Sequence, residues 1–247
     1  MRILVTGGAG FIGSNFCKYL VSNYSNEISK LWVLDKLTYA GNVSNIDTLI
    51  QLSNFEFIQG DINDKTLVHD LINEFDFVVN FAAESHVDNS IMSSEKFIES
   101  NVFGVHTLLD AIRKSGRQIR FVQISTDEVY GSIEKGSWTE DCPLMPNSPY
   151  SASKASAELI ARAFFKSYQL DIVVTRCTNN YGPYHHPEKL IPRIITNLIQ
   201  GKKIPIYGDG LNVRDWLHVE DHSEAIYKTM ILGKQGEIYN IGGGYEI

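Results

Sequence analysis

Cysteine is scarce in this chain of 247 residues: Cys17, Cys142 and Cys177 are odd in number and far apart, with no Cys-x-x-Cys pair. That pattern excludes a disulfide-stapled scaffold, removes the ligand spacing of a zinc site, and favours a reducing, cytoplasmic setting. Long apolar runs are missing too, so no segment is expected to span a bilayer. The strand expected to start at Arg2 leaves no room for a signal peptide ahead of it. Basic residues are outnumbered, 22 against 29 acidic, for a net charge of −7. This balance argues against nucleic acid or an anionic membrane as partner, while leaving room for a local basic site that takes a phosphorylated ligand. Proline is sparse, and four of the seven (Pro183, Pro187, Pro192 and Pro205) crowd into one stretch.

The 43% hydrophobic content, at this length, is enough for a full core, as one large domain or one domain plus a lobe. Short apolar runs at 2–6, 31–35, 55–59, 77–81, 120–125 and 171–176 read as strands. Helical patterns at 11–22, 65–75, 94–114 and 149–168 lie between them. The strands show little alternation, as expected where both faces of a sheet are covered. Repeated β–α alternation predicts an α/β fold, a doubly wound parallel sheet of Rossmann-like type. Beyond Asn179 the elements shorten: a helix at 189–200, strands at 204–207 and 214–218, a helix at 220–232 and a strand at 238–241. The expected division is a nucleotide-binding domain over 1–178 and a small, incomplete substrate lobe over 179–247, with 237–241 returning to the main sheet. The closing Gly242-Gly243-Gly244-Tyr245-Glu246-Ile247 follows a strand with no closing helix, an ending expected of a truncated chain.

Gly7, Gly10 and Gly13 follow the first strand and open the first helix. They allow a tight turn, close backbone approach to a pyrophosphate, and a helix N-terminus that favours the anion. The spacing is GxxGxxG rather than GxGxxG, so a purely structural turn remains an alternative. Asp35 ends the second strand about twenty residues on, where a carboxylate accepts from both ribose hydroxyls and repels a 2′-phosphate. NAD is therefore favoured over NADP, although Lys36 next door weakens that repulsion. Asp61, after the third strand, is open to two roles: a place beside the adenine, or a helix N-cap.

Tyr150 and Lys154 stand one helical turn apart. A phenol with a pKa of about 10 is a poor base at neutral pH, and a neighbouring ammonium and a positive nicotinamide are expected to lower it. Ser125 and Thr126 end the fifth strand, where a hydroxyl can meet a substrate oxygen. Asp127 and Glu128 come next, either as a solvated acidic turn or as a pair pointing into the cleft. There adjacent carboxylates repel, one pKa rises, and a neutral acid stands beside an ionised base, as elimination of water requires. The run at 179–183 reads as a turn, and Arg214 as a diphosphate ligand or the partner of Asp215. His185 and His186 lack partners at metal-ligand spacing, and no metal is expected.

These strings resemble the nucleotide-sugar 4,6-dehydratases of the extended short-chain dehydrogenase/reductase superfamily, at residues 7–13, 35–42, 82–88, 125–131, 150–155, 179–183, 188–192 and 214–218. The Asp127–Glu128 pair and the string at 37–42 are the specific elements. Related epimerases carry small or hydroxyl residues at the pair, and GDP-mannose dehydratases keep only the glutamate. The resemblance implies NAD-dependent dehydration of a nucleoside-diphosphate glucose, dTDP-glucose preferred, to the 4-keto-6-deoxy sugar. Tyr150, assisted by Thr126, takes the O4 proton as hydride leaves C4 for NAD⁺. Glu128 removes the C5 proton, Asp127 protonates the departing C6 hydroxyl, and hydride returns to C6. Lys154 completes the catalytic set.

By the same resemblance Gly7, Gly10, Phe11, Ile12, Gly13, Asp35, Lys36, Thr38, Asp61, Ile62, Ala82, Ala83, Ser85, Tyr150, Lys154 and Asn180 contact NAD. Ser85, Thr126, Asn179, Lys189, Leu190 and Arg214 contact the sugar nucleotide. A homodimer pairing the helices at 94–114 and 149–168 is implied as well. Asn89 stands where the family usually has arginine, and family members are longer. The competing readings are a 4-epimerase, which would leave the acidic pair without a task, and an NAD-binding paralogue or fragment without turnover.

Overall fold

The apolar runs lie side by side in the computed structural model, which describes residues 1–204, 206 and 209–246. In chain order the strands are β1 (Arg2–Thr6), β2 (Lys30–Asp35), β3 (Phe55–Gln59), β4 (Phe77–Asn80), β5 (Arg120–Thr126), β6 (Ile172–Cys177), β7 (Asn179–Tyr181), β8 (Trp216–His218) and β9 (Ile238–Ile241). Seven of them form one sheet in the order β3-β2-β1-β4-β5-β6-β9, and every pairing in it is parallel. This is a doubly wound α/β sheet. Its strand order reverses between β1 and β4, the place where such sheets open a crevice beyond the strands' carboxyl ends.

The lack of alternation in these strands follows from burial on both faces. Leu4, Leu34, Val78 and Phe121 point to one side, under helices Lys65–Ile72, Gly104–Ser115 and Pro149–Tyr168. Their neighbours Ile3, Val33, Val79 and Val122 point to the other, against Phe16 and Leu20 of helix Phe11–Tyr24 and Ile226 and Met230 of helix Val219–Leu232. Each such side chain contributes about 1.5–3 kcal/mol on burial, so a strand polar on either face would be costly. A polar ladder crosses the sheet centre beneath the crevice: Thr6 Oγ1 donates to Asn80 Oδ1 at 2.6 Å, and Asn80 Nδ2 to Gln123 Oε1 at 2.9 Å.

The structure departs from the expected elements in several places. The single helix expected over 94–114 is broken into Glu95–Ile98, a π-helical turn over Glu99–Phe103, and Gly104–Ser115. A Cβ on Gly104 would stand 2.3 Å from Ile62 Cδ1, so any larger residue here would have to displace the Ile62 side chain. A short helix, Val87–Met92, was not expected at all. Residues 179–183, read as a turn, contain β7, which pairs in parallel with β8. The strand expected at 204–207 includes Pro205 and Tyr207, which lie outside the described residues. Past Asn179 the chain divides: helix Leu190–Ile199 and the β7–β8 pair sit above the sheet's edge, while helix Val219–Leu232 and β9 join the main layers. Among the described residues no helix is long and apolar enough to cross a membrane.

Candidate active site

β1 runs out at Thr6 and the chain turns through Gly7 at a φ of +72°. A Cβ on Gly7 would stand 2.5 Å from the Ala82 nitrogen, and one on Gly13 would stand 2.5 Å from the Gly7 carbonyl oxygen. Only glycine fits at either place, and bare backbone is what comes close to an occupant of the turn. Gly10 then caps helix Phe11–Tyr24 without a side-chain hydrogen bond. The helix's first N–H groups and its positive dipole end are thereby left for an anion.

A cleft of about 500 Å³ opens here, at the switch point. Every candidate residue named from the sequence lines it except Asp127. Buried Asp35 accepts from the Ala9 N–H at 3.0 Å and the Leu37 N–H at 2.8 Å. Burial pushes its pKa up, and these two N–H groups act against that rise. Each oxygen has a second lone pair for a hydroxyl. Lys36 Nζ lies 2.5 Å from Asp61 Oδ2. Burial alone would raise the Asp61 carboxyl, but Lys36 and the Asn63 N–H bring it below its usual range. The N-cap role open to Asp61 falls instead to Asp64, which accepts from Thr66 and Leu67 N–H groups, both at 3.0 Å. The turn that excludes a Cβ, the uncapped helix end and the Asp35 carboxylate together fit a dinucleotide.

On the opposite side β5 ends at Thr126, whose hydroxyl accepts from the Glu128 N–H at 3.3 Å and donates to Asp127 Oδ1 at 3.2 Å. Asp127 was expected to point into the cleft beside Glu128. It is drawn back onto Thr126 instead, and only Glu128 reaches the lining. Burial raises both carboxyls; the charge of Asp127 raises Glu128 further, while Arg214 lowers both.

The capping box of Ser148 and Ser151, with Pro149 in the first turn, starts helix Pro149–Tyr168 and so sets Tyr150 at its entrance. Lys154, 5% exposed, turns its Nζ to the Ile124 carbonyl at 2.6 Å, and burial lowers its pKa to about 8. The expected lowering of the Tyr150 phenol is absent from the protein alone. Burial, then the charge of Glu128, push it well above its ordinary value, and the Thr126 hydroxyl is the neighbour that favours the phenolate. Burial is the main reason; beyond it, the Lys154 ammonium donates to the β5 backbone while the Glu128 and Asp127 charges act on the phenol. Ser125 Oγ, which lines the cleft, is buried with no hydrogen-bond partner among the described residues.

Lys189 Nζ reaches across to the Ser85 carbonyl at 3.2 Å, and burial lowers its pKa although Glu188 and Glu128 oppose this. Arg214 does not pair with Asp215, which accepts from the Gly243 and Tyr245 N–H groups and ties down the chain there. The Asn180 amide is engaged inside the fold, 2.8 Å from His222 Nδ1 and donating to the Thr178 carbonyl at 3.0 Å. Leu190 and Asn179 complete that wall.

Three contributions escaped the sequence reading. Asn101, in the π-helical turn, accepts from the Glu84 N–H at 2.8 Å and donates to the Glu84 carbonyl and to Ser153 Oγ, fastening the cleft wall to the Tyr150 helix. A widened turn of this kind often marks a functional position, but it leaves no trace in hydrophobic periodicity. Glu188, between His86 and His186, and Cys177 also line the cleft. Glu188 falls within the 188–192 string but was given no role.

A parallel sheet in this order, a glycine turn at its switch point and a Tyr–Lys helix facing it across one cleft define an extended short-chain dehydrogenase/reductase. Comparison with known proteins narrows the class. A family model described as GDP-mannose 4,6 dehydratase matches residues 4–247, and the chain belongs to this family of hydro-lyases. A dTDP-glucose 4,6-dehydratase from Streptomyces niveus is 51% identical, aligned over 100% of this chain and 74% of its own length. The structure of a dTDP-glucose 4,6-dehydratase from Streptomyces venezuelae, with NAD and TYD bound, matches with a TM-score of 0.97 at 52% identity, covering 100% of this chain and 77% of that one. A UDP-glucuronic acid 4-epimerase from Bacillus cereus, in complex with UDP-glucuronic acid and NAD, matches with a TM-score of 0.93 at 31% identity, covering 100% and 79%.

Proposed function

We propose that the chain uses NAD to dehydrate a nucleoside-diphosphate glucose, dTDP-glucose preferred, to the 4-keto-6-deoxy sugar. The observation that carries this reading is the Asp127–Glu128 pair: two adjacent carboxyls, both raised by burial, on the turn that follows β5 and beside Tyr150. The glycine turn, Phe11, Ile12, Asp35, Lys36, Thr38, Asp61, Ile62, Ala82, Ala83, Ser85 and Asn180 would hold the cofactor, with Tyr150 and Lys154 at its reacting end. When bound, NAD supplies a reversible hydride acceptor and a positive ring charge that favours the Tyr150 phenolate.

The residues supply the rest. Tyr150 Oη accepts the proton of the sugar O4 hydroxyl, with Thr126 hydrogen-bonded to the same centre. A carbonyl at C4 acidifies the C5–H bond, and the Glu128 carboxylate takes that proton. Asp127, whose carboxyl burial raises, turns from Thr126 to protonate the C6 hydroxyl, which leaves as water; the hydride taken from C4 would come back at C6 and a solvent proton would add at C5 to complete the 6-deoxy sugar. Lys189 and Arg214, with Ser85, Asn179 and Leu190, bind the diphosphate and sugar. We assign residues 1–178 to the cofactor domain and 179–247 to a partial substrate lobe, and we place the enzyme in the cytoplasm as a homodimer. The exposed Ile98, Phe103 and Leu159 on the helices that would pair support the dimer.

A 4-epimerase is the second reading, favoured by the similarity to the Bacillus cereus enzyme. Mass spectrometry of dTDP-, UDP- and CDP-glucose after incubation with the chain and NAD⁺ separates the two. Loss of one water from the dTDP sugar before the others supports dehydration with the stated base preference. A product of unchanged mass that separates chromatographically from the starting sugar nucleotide would establish the epimerase.

A further inference from the structure

Helix Phe11–Tyr24 and the loop that follows β7 form facing walls of the cleft, and the two walls are pinned together. His185 stacks on Phe11 with ring centroids 4.4 Å apart and planes 18° from parallel, and both rings line the cleft. One turn along, Asn15 Nδ2 donates to the Pro183 carbonyl at 2.9 Å. Another turn on, Lys18 Nζ lies 3.4 Å from the centroid of the Tyr184 ring. Phe11, Asn15 and Lys18 recur at i, i+4 and i+7, so one face of the helix grips three consecutive loop residues.

The loop holds this position against local preference. Tyr184 sits at a φ of +68°, a left-handed conformation that bulky residues avoid. His185 Nδ1 is buried with no hydrogen-bond partner among the described residues. Contacts to the helix must offset both costs, which makes the closed position conditional on them.

We propose that residues 182–186 form a latch, and that the parting of its Phe11, Asn15 and Lys18 contacts sets the rate at which bound dinucleotide leaves the cleft. The proposal rests on the reading of this cleft as an NAD site. Asn15 and Lys18 do not line the cleft; they act through the loop, as positioning residues.

The test is to load the full chain with radiolabelled NAD⁺, dilute it into excess unlabelled NAD⁺, and follow the label retained. Lys18→Met and Asn15→Ala should each speed release by about two- to fivefold, the size of one exposed cation–π contact or one hydrogen bond. Lys18→Arg keeps a cation over the Tyr184 ring and should stay within about twofold of wild type. Asn23→Ala, which removes only a bond to the Tyr19 carbonyl on the same helix, should leave the rate unchanged. Folded Lys18→Met and Asn15→Ala variants that bind NAD and release it at the wild-type rate would overturn the latch alone. A wild-type chain that retains no label at any NAD⁺ concentration would overturn the cofactor reading and the latch with it.

Discussion

Lys154 Nζ donates to the Ile124 carbonyl at 2.6 Å, so the ammonium is anchored to the strand that carries Thr126 and not to the Tyr150 phenol one turn away. Burial holds its pKa at about 8, below the value of about 10.4 for an unfolded lysine. Between these values the unfolded chain binds more protons, so stability should rise as pH climbs through that window. Below it, the buried charge costs about 3 kcal/mol. Lys154→Met should therefore stabilise the fold near neutral pH by up to that amount, less the lost hydrogen bond. The gain should vanish above about pH 10, while activity falls about 100-fold or more. Urea titrations at neutral and high pH check this; a variant destabilised equally at both would contradict it.

Tyr150 and Glu128 are coupled in the opposite sense. The Glu128 charge is the second cause, after burial, of the raised phenol. Glu128→Gln should lower the Tyr150 pKa, read as the ultraviolet difference between this variant and its Tyr150→Phe counterpart across alkaline pH. An unchanged midpoint would show that the two groups do not share a field. Tyr150→Phe alone should reduce kcat by about 100- to 10,000-fold while leaving NAD binding intact.

The acidic pair should divide the reaction. Asp127→Asn and Glu128→Gln should each allow oxidation at C4, seen as the absorbance of reduced NAD in a single turnover, while slowing loss of water about 100-fold or more. Water lost at the wild-type rate from either variant would remove that carboxyl from the elimination.

Beneath the site Arg176 and Glu158 form a pair at 2.6 Å, each side chain 3% exposed, and Arg176 also donates to Tyr130 Oη at 2.6 Å. Arg176→Met would strand a buried carboxylate and should cost about 3–5 kcal/mol. Replacing both partners by apolar residues should cost much less. Denaturation of the single and double variants decides; equal losses would mean that Glu158 does not need its partner.

The sheet was legible because its central strands are buried on both faces and therefore read as short apolar runs, whereas the edge strands β3 and β9 are only partly buried. β7 was not legible, since Asn179–Tyr181 is three residues long and polar. The break at Glu99–Phe103 escaped because hydrophobic periodicity barely registers one extra residue in a turn. In the site, glycine spacing and the carboxyl ends of β2 and β5 placed the cleft, since a switch point follows from topology. What the sequence could not convey was orientation. Asp127 turns back to Thr126, Lys154 to Ile124, and Asp64 rather than Asp61 caps its helix. Each depends on which backbone group is nearest after folding, which residue order alone does not specify.

The most direct measurement is mass spectrometry of dTDP-glucose turned over by the wild-type chain with NAD⁺ in deuterium oxide. Removal of the C5 proton, loss of the C6 hydroxyl and reprotonation at C5 should give a product lighter by one water and carrying one solvent deuterium on carbon. A sugar nucleotide that keeps its oxygen and gains no deuterium on carbon would contradict the assignment of Glu128 and Asp127 to an elimination, and with it the dehydratase reading.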